Sequence, residues 1–270
     1  MISILMSTYN GAAYIAEQLD SIIAQSVQDW QLVVRDDGST DGTQEILRAY
    51  AEKDARIQMV EDKEKRGAMR SYEWLLEQYG TGKYVAFADQ DDVWLPDKLR
   101  VCVDKIRQSE QQYGADTPIV VHTDLVVVDS TLRVVAESFW RYTFIKPNVL
   151  NRHTEYLAIC NSVTGCAMMF NQAARGVSLP FGDRALMHDS AIAVSTMLNH
   201  GKVVPVYVQT MLYRQHGDNT LGAVEYHLWR SFNARYEEAK ERYHAYHPDI
   251  FATVLSFTYW KIRCFCAEHL

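Results

Sequence analysis

The sequence predicts an α/β fold: a mostly parallel central sheet with helices on both faces, followed by a helical C-terminal extension. Three observations carry this expectation. Short apolar runs alternate with segments of helical spacing through the first half of the chain. Polar, turn-forming motifs follow the apolar runs, and in such sheets ligands bind beyond the carboxyl ends of the strands. From about Glu225 the pattern changes: charged and aromatic residues alternate, and residues 250–266 are apolar and aromatic.

Residues 2–7 are a short apolar run closed by the turn signal Tyr9-Asn10-Gly11. A helix over 14–24 puts Ile15, Leu19, Ile22 and Ile23 on one face. A strand at 31–34 stops at Arg35-Asp36-Asp37-Gly38; a helix at 43–52, a strand at 57–60 and a helix at 69–79 follow. Residues 84–88 form a buried strand that runs into Asp89-Gln90-Asp91-Asp92, and Pro96 opens a helix to about 107. The second half is less regular. It predicts strands at 119–121 and 125–128 with a hairpin partner at 133–136, a helix at 151–161, strands at 166–170 and 203–206, and a helix at 188–199. The organisation expected is one domain at 1–222, with halves at about 1–122 and 123–222, and a helical extension at 223–270.

The 270 residues are 48% hydrophobic, enough for one large core. A net charge of -7 with no dense Lys/Arg cluster argues against a nucleic-acid partner. It still allows an anionic ligand, because a divalent cation can bridge carboxylates to phosphates. The five cysteines (Cys102, Cys160, Cys166, Cys264 and Cys266) are odd in number, scattered and without a CxxC pair. They read as reduced thiols in a reducing compartment. The first residues carry no basic stretch or small-residue cleavage site, and no run approaches the roughly 18–20 apolar residues of a membrane span. A cytoplasmic location is therefore expected.

Five motifs could carry chemistry. Ser7-Thr8-Tyr9-Asn10-Gly11 lets a ring approach the backbone, or is an ordinary strand-to-helix turn. Asp36 and Asp37 can accept hydrogen bonds from a base and a ribose hydroxyl, while Asp41 or Thr43 caps the next helix. Asp89-Gln90-Asp91-Asp92 puts three carboxylates at the end of a buried strand, where they repel unless a cation compensates. Hard oxygen ligands suit Mg²⁺ or Mn²⁺; the plain alternative is a solvated loop with Asp92 capping a helix. Asp189, after His188 at a helix start, is either an N-cap or a general base. Tyr213-Arg214-Gln215-His216-Gly217-Asp218-Asn219 reads as a turn in which Arg214 neutralises phosphate and His216 completes a metal sphere, or as plain surface.

The order of these motifs resembles the family 2 glycosyltransferases, which have the GT-A fold, over about residues 1–220. Asp89-Gln90-Asp91-Asp92-Val93-Trp94 and Tyr213-Arg214-Gln215-His216 are most similar to the bacterial rhamnosyltransferase-type members. The resemblance implies a nucleotide-sugar half at 1–122 and an acceptor half at 123–222. It implies nucleotide contacts at Thr8, Tyr9, Asn10, Asp36, Asp37, Arg66, Arg70, Asp89 and Gln90. It implies Mn²⁺ or Mg²⁺ on Asp91 and His216, and Asp189 as catalytic base, although family members often carry Glu where His188 stands. Trp94, Gly165, Cys166, His188 and Arg214 are phosphate or acceptor candidates. The reaction implied is inverting transfer from a UDP- or dTDP-linked sugar, dTDP-rhamnose among them, to a saccharide or lipid-linked saccharide in surface polysaccharide or lipopolysaccharide synthesis. Alternatives are a non-catalytic nucleotide-binding protein of the same fold and a nucleotidyltransferase; the latter usually needs a basic Gly-rich loop after the first strand, which is missing here. Phe251, Leu255, Tyr259 and Ile262 share one helical face. They suit packing on the domain, a homodimer, or peripheral contact with the inner face of the membrane.

Overall fold

The computed structural model describes all residues except 63, 184, 218–231 and 270; side chains at 232–238, 268 and 269 are also outside the description. In chain order the first half forms β1 (Ile2–Thr8), α1 (Ile15–Ile23), β2 (Trp30–Asp36), α2 (Thr43–Lys53), β3 (Ile57–Val60), α3 (Gly67–Tyr79), β4 (Tyr84–Ala88), β5 (Val93–Trp94) and α4 (Lys98–Tyr113). The second forms β6 (Ile119–Asp129), β7 (Val134–Ala136), α5 (Phe139–Tyr142), α6 (Pro147–Leu150), α7 (Thr154–Ile159), β8 (Met168–Asn171), α8 (Gln172–Ser178), α9 (His188–Leu198) and β9 (Lys202–Gln215). The extension supplies α10 (Phe232–Tyr246) and α11 (Val254–His269). The expected boundary near residue 222, and Asp218 and Asn219 with it, lie outside the described residues.

The strands make one sheet in the order β3-β2-β1-β4-β8-β6-β9-β5, with β7 added beside β6. β1 to β4, β6 and β9 run one way; β5, β7 and β8 run the other. The sheet is therefore mostly parallel, as its βα alternation requires. Both faces are covered. Along β1 alternate side chains serve opposite layers. Ile4 and Met6 pack with Leu19, Leu47 and Leu99 from α1, α2 and α4. Leu5 packs on the other face with Leu75, Leu157 and Ile192 from α3, α7 and α9. Tyr246, Phe251 and Phe257 of the extension join that second cluster.

Several elements differ from the expectation. The two strands at 119–121 and 125–128 are one strand, β6, whose pairing with β9 shifts register between Thr123 and Val126. β9 continues to Gln215, so Tyr213, Arg214 and Gln215 are strand residues and not a turn; Pro205, Gln209 and Thr210 hide its apolar alternation. The helix at 151–161 contracts to α7, because the Asn161 side chain bonds its own loop at the Val163 N–H (3.1 Å) and C=O (2.8 Å). A 3₁₀ turn over Gly165–Ala167 delays β8 to Met168. The helix expected from Pro96 begins at Lys98 and runs on to Tyr113. The N-cap position of α2 is Gly42 at φ 97°, a conformation that suits glycine, and Thr43 is the first helical residue; Asp41, one residue before the cap, accepts from the Thr43 N–H (3.1 Å). All five cysteines are free, and no helix among the described residues is long and apolar enough to cross a membrane.

Candidate active site

A pocket of about 300 Å³ opens at the carboxyl ends of β1, β2 and β4 and at the N-terminal ends of α3 and α9. Its lining includes Thr8, Tyr9 and Asp37 after β1 and β2, Asp89, Gln90 and Asp91 after β4, Tyr72 of α3, Tyr213 of β9, and Gly165, His188 and Asp189.

After β2 the two adjacent carboxylates separate in role. Asp36 turns inward and accepts from Thr8 Oγ1 (3.0 Å), the Ser39 N–H (2.8 Å) and Gln44 Nε2 (2.7 Å). Burial pushes its carboxyl up, but the bonds from Ser39, Gln44 and Thr8 outweigh it and hold it below the usual range. Asp36 therefore braces the β2–α2 turn and does not line the pocket. Asp37 does line it. The Arg66 N–H (2.9 Å) and Gly67 N–H (3.0 Å) at the start of α3 aim the carboxylate, as does Arg35 Nη1 (2.7 Å). These bonds overcome burial and lower its carboxyl. Arg35 is fully buried and also reaches Asp62 (2.9 Å) and Ser71 (2.7 Å). Gln90 clamps Tyr9 by accepting from its N–H (2.9 Å) and donating to its C=O (3.0 Å), which leaves the ring 54% exposed at the rim. Asn10, at φ 49°, ties the loop to Ser39 and Thr40. The Arg66 side chain goes to Asp62 (2.6 Å), and Arg70 turns to Glu73 and the Phe181 carbonyl. Asn10, Arg66 and Arg70 are not among the pocket's lining residues.

After β4, Asp89 Oδ1 accepts from the Tyr72 hydroxyl (2.7 Å). Burial, and after it Asp91, pushes the Asp89 carboxyl up to about 6. Asp91 Oδ2 lies 2.8 Å from His216 Nε2, so the residue just beyond β9 meets the turn after β4. Arg214 latches that junction. Its Nε donates to the Asp91 carbonyl (2.7 Å), its Nη1 to the Ser130 carbonyl (2.8 Å) and its Nη2 to Glu17, while its N–H reaches Asp92 Oδ1 (3.1 Å). Asp92 is fully buried and caps no helix, since α4 starts at Lys98. Asp89, Asp92 and Cys166 present ligand atoms within 4.8 Å of one another. Trp94 is buried beneath Lys98, whose Nζ lies 5.0 Å from its ring, and like Cys166 and Arg214 it does not line the pocket.

Met187 is the N-cap of α9, and Asp189 sits in its first turn. Burial pushes the Asp189 carboxyl up to about 6, against hydrogen bonds from the Ser190 and Gly165 N–H groups. Sequence reasoning missed Arg35 and Tyr72; it named Asp92 as one of three carboxylates or a helix cap, but not its complete burial. An arginine beside two aspartates in a strand was an available signal for the first; only tertiary packing brings Tyr72 to Asp89.

Residues 3–177 match the model for glycosyl transferase family 2. The chain belongs to that family. This family 2 chain is 40% identical over 99 residues to TuaG of Bacillus subtilis, a glycosyltransferase named for teichuronic acid biosynthesis. That match covers 37% of this chain and 39% of TuaG, so it spans about two fifths of the relative's length. Among solved structures, the S. aureus TarS 1-349 complex with UDP-GlcNAc superposes with TM-score 0.63 at 16% identity, over 99% of this chain and 72% of that one. The mannosyltransferase PcManGT of Pyrobaculum calidifontis, in complex with GDP-Man and Mn²⁺, gives TM-score 0.61 at 19% identity, over 98% and 73%. The family 2 chain thus has the GT-A-like α/β fold expected of it.

Proposed function

We propose that this chain is an inverting glycosyltransferase that moves a sugar from a nucleoside-diphosphate donor to an acceptor hydroxyl. The observation that carries the reading is one pocket whose lining brings together Asp37 and Tyr9, Asp89 and Asp91, and Asp189. Among them are groups suited to a nucleoside, to a metal-bound diphosphate and to a reacting hydroxyl. The nucleotide-sugar complexes of the similar folds, TarS with UDP-GlcNAc and PcManGT with GDP-Man, support a ligand of this class.

Asp37 accepts hydrogen bonds from the base or ribose, and the exposed Tyr9 ring packs against them. The Asp91 carboxylate and His216 imidazole, 2.8 Å apart, are an oxygen-and-nitrogen donor pair that fits Mn²⁺ or Mg²⁺. A divalent ion held there supplies compensation for charge growing on the departing diphosphate. Asp189 takes the proton of the acceptor hydroxyl as that hydroxyl attacks the anomeric carbon. A carboxyl near 6 is ionised at pH 7 yet more basic than an ordinary aspartate. One displacement inverts the anomeric centre.

The donor is a UDP- or dTDP-sugar; dTDP-rhamnose rests on the motif likeness alone. The acceptor is a saccharide or lipid-linked saccharide of a bacterial surface polysaccharide, a reading that the name of TuaG supports. Such donors are cytoplasmic, so the protein works on that side of the membrane. For α11, whose Leu255 (81%), Tyr259 (55%) and Ile262 (59%) are exposed, the two readings are a second copy or the membrane surface. Replacing Asp189 by Asn tests the proposal: nucleoside-diphosphate binding persists while transfer falls by about 10²- to 10⁴-fold, the range for a general base. Unchanged transfer removes Asp189 from this role.

A further inference from the structure

The mechanism gives His188 no task. His188 lines the pocket, yet its imidazole is only 4% exposed. The ring is wedged against Tyr72 (centroids 4.3 Å apart) and, edge-on, against Phe87 (5.0 Å). Neither ring nitrogen has a hydrogen-bond partner among the described residues. His122, the other buried histidine of the sheet layer, differs: its Nε2 lies 2.9 Å from Asn151 Nδ2. Buried donors and acceptors are nearly always paired, and an unpaired one calls for an explanation such as a missing ligand.

The neighbours of His188 say which ligand. It directly precedes Asp189, and its stacking partner Tyr72 holds Asp89. The imidazole is therefore next in sequence to one pocket carboxylate and packed on the ring that holds another. Opposite it is Gly165, so close that a Cβ there would lie 2.3 Å from His188 Nε2. Only the bare Cα makes room for the ring at this point of the pocket wall. Burial keeps the ring neutral, with its pKa pushed down to about 3. A neutral imidazole donates from one nitrogen and accepts at the other. A sugar hydroxyl has the same dual character.

Building on the glycosyltransferase reading, we propose that His188 is a sugar-recognition residue whose imidazole hydrogen-bonds hydroxyls of an uncharged sugar ring lying between Asp89 and Asp189. The ring belongs to the transferred sugar of the donor or to the terminal sugar of the acceptor, and the two leave different traces.

The test compares wild type with His188→Phe, His188→Gln and Gly165→Ala, each checked for folding by its melting temperature. Calorimetry with Mn²⁺ measures the affinity for UDP and dTDP, then for UDP-glucose, UDP-galactose, UDP-GlcNAc and dTDP-rhamnose. Transfer is measured to a panel of octyl glycosides. All variants bind the free nucleoside diphosphate within about twofold of wild type. Loss of one hydrogen bond corresponds to about tenfold. If His188 reads the donor, His188→Phe and Gly165→Ala weaken the preferred sugar nucleotide about tenfold. If it reads the acceptor, donor affinity holds and the acceptor KM rises about tenfold. In either case His188→Gln restores most of the loss, which a purely packing role would not allow. Should His188→Phe fail to fold, Gly165→Ala carries the comparison. Sugar-nucleotide affinity and acceptor KM both within twofold of wild type in these variants overturn the proposal. A wild-type protein that binds no nucleoside diphosphate overturns the glycosyltransferase reading instead, and this one with it.

Discussion

Asp189 is pushed up to about 6 by burial, against the pull of two N–H groups. As a base it works only when ionised, so kcat/KM is expected to rise with pH through about 6 and then level; a flat profile from pH 5 to 8 would count against it. The same shift has a consequence for stability. The folded carboxyl binds its proton more tightly than the unfolded one, whose value is near 3.8. Its contribution to stability therefore falls as pH rises from about 4 to about 6, the reverse of a salt-bridged aspartate. At this scale the sequence was informative wherever a carboxylate at a strand end had few ordinary explanations. Asp37, Asp89, Asp91 and Asp189 all line the pocket. It misled wherever direction depends on distant partners. Arg214 looks like a phosphate ligand in sequence, but Glu17 and Ser130, far away along the chain, draw its guanidinium into the fold. Asp36 and Asp37 are adjacent, yet the alternation of a strand sends them to different tasks.

Among elements, the N-terminal end of α3 depends on Arg35, which joins β2 to Asp37 and Asp62. Replacing Arg35 by Met leaves the Asp37 carboxylate without its cation and removes one of two from Asp62, which keeps Arg66. A loss of about 3 kcal/mol is expected in urea unfolding, the scale of a broken buried ion pair. No loss would mean that the Asp37 geometry is held by the α3 amides alone. The helices α9 and α10 are linked by the hydrogen bond that Ser190 and Tyr246 share, one residue after Asp189. Tyr246→Phe is expected to cost about 1 kcal/mol by the same measurement. The parallel βα units were legible because each strand is a compact apolar run ended by a turn signal. Of β9 only the start, at 203–206, was legible; beyond it polar residues interrupt the alternation, and its partners β5 and β6 are remote in sequence.

For the whole molecule, the α/β architecture followed from the βα alternation, while the way the extension packs did not. Phe251 and Phe257 join the core beside α7 and α9, but Leu255, Tyr259 and Ile262 face outward. Sedimentation of the protein with and without anionic vesicles separates a dimer from a membrane-bound chain. A monomer that ignores the vesicles removes both readings of α11. The central claim concerns the pocket, and thermal stabilisation by UDP and dTDP, with and without Mn²⁺, in wild type and Asp91→Asn tests it most directly. A ligand that binds only the folded state adds about 2.7 kcal/mol at 100 times its Kd. The account predicts a shift with one of these nucleotides that requires Mn²⁺ and disappears in Asp91→Asn. No shift with either nucleotide, or an equal shift without the metal and in the variant, would contradict it.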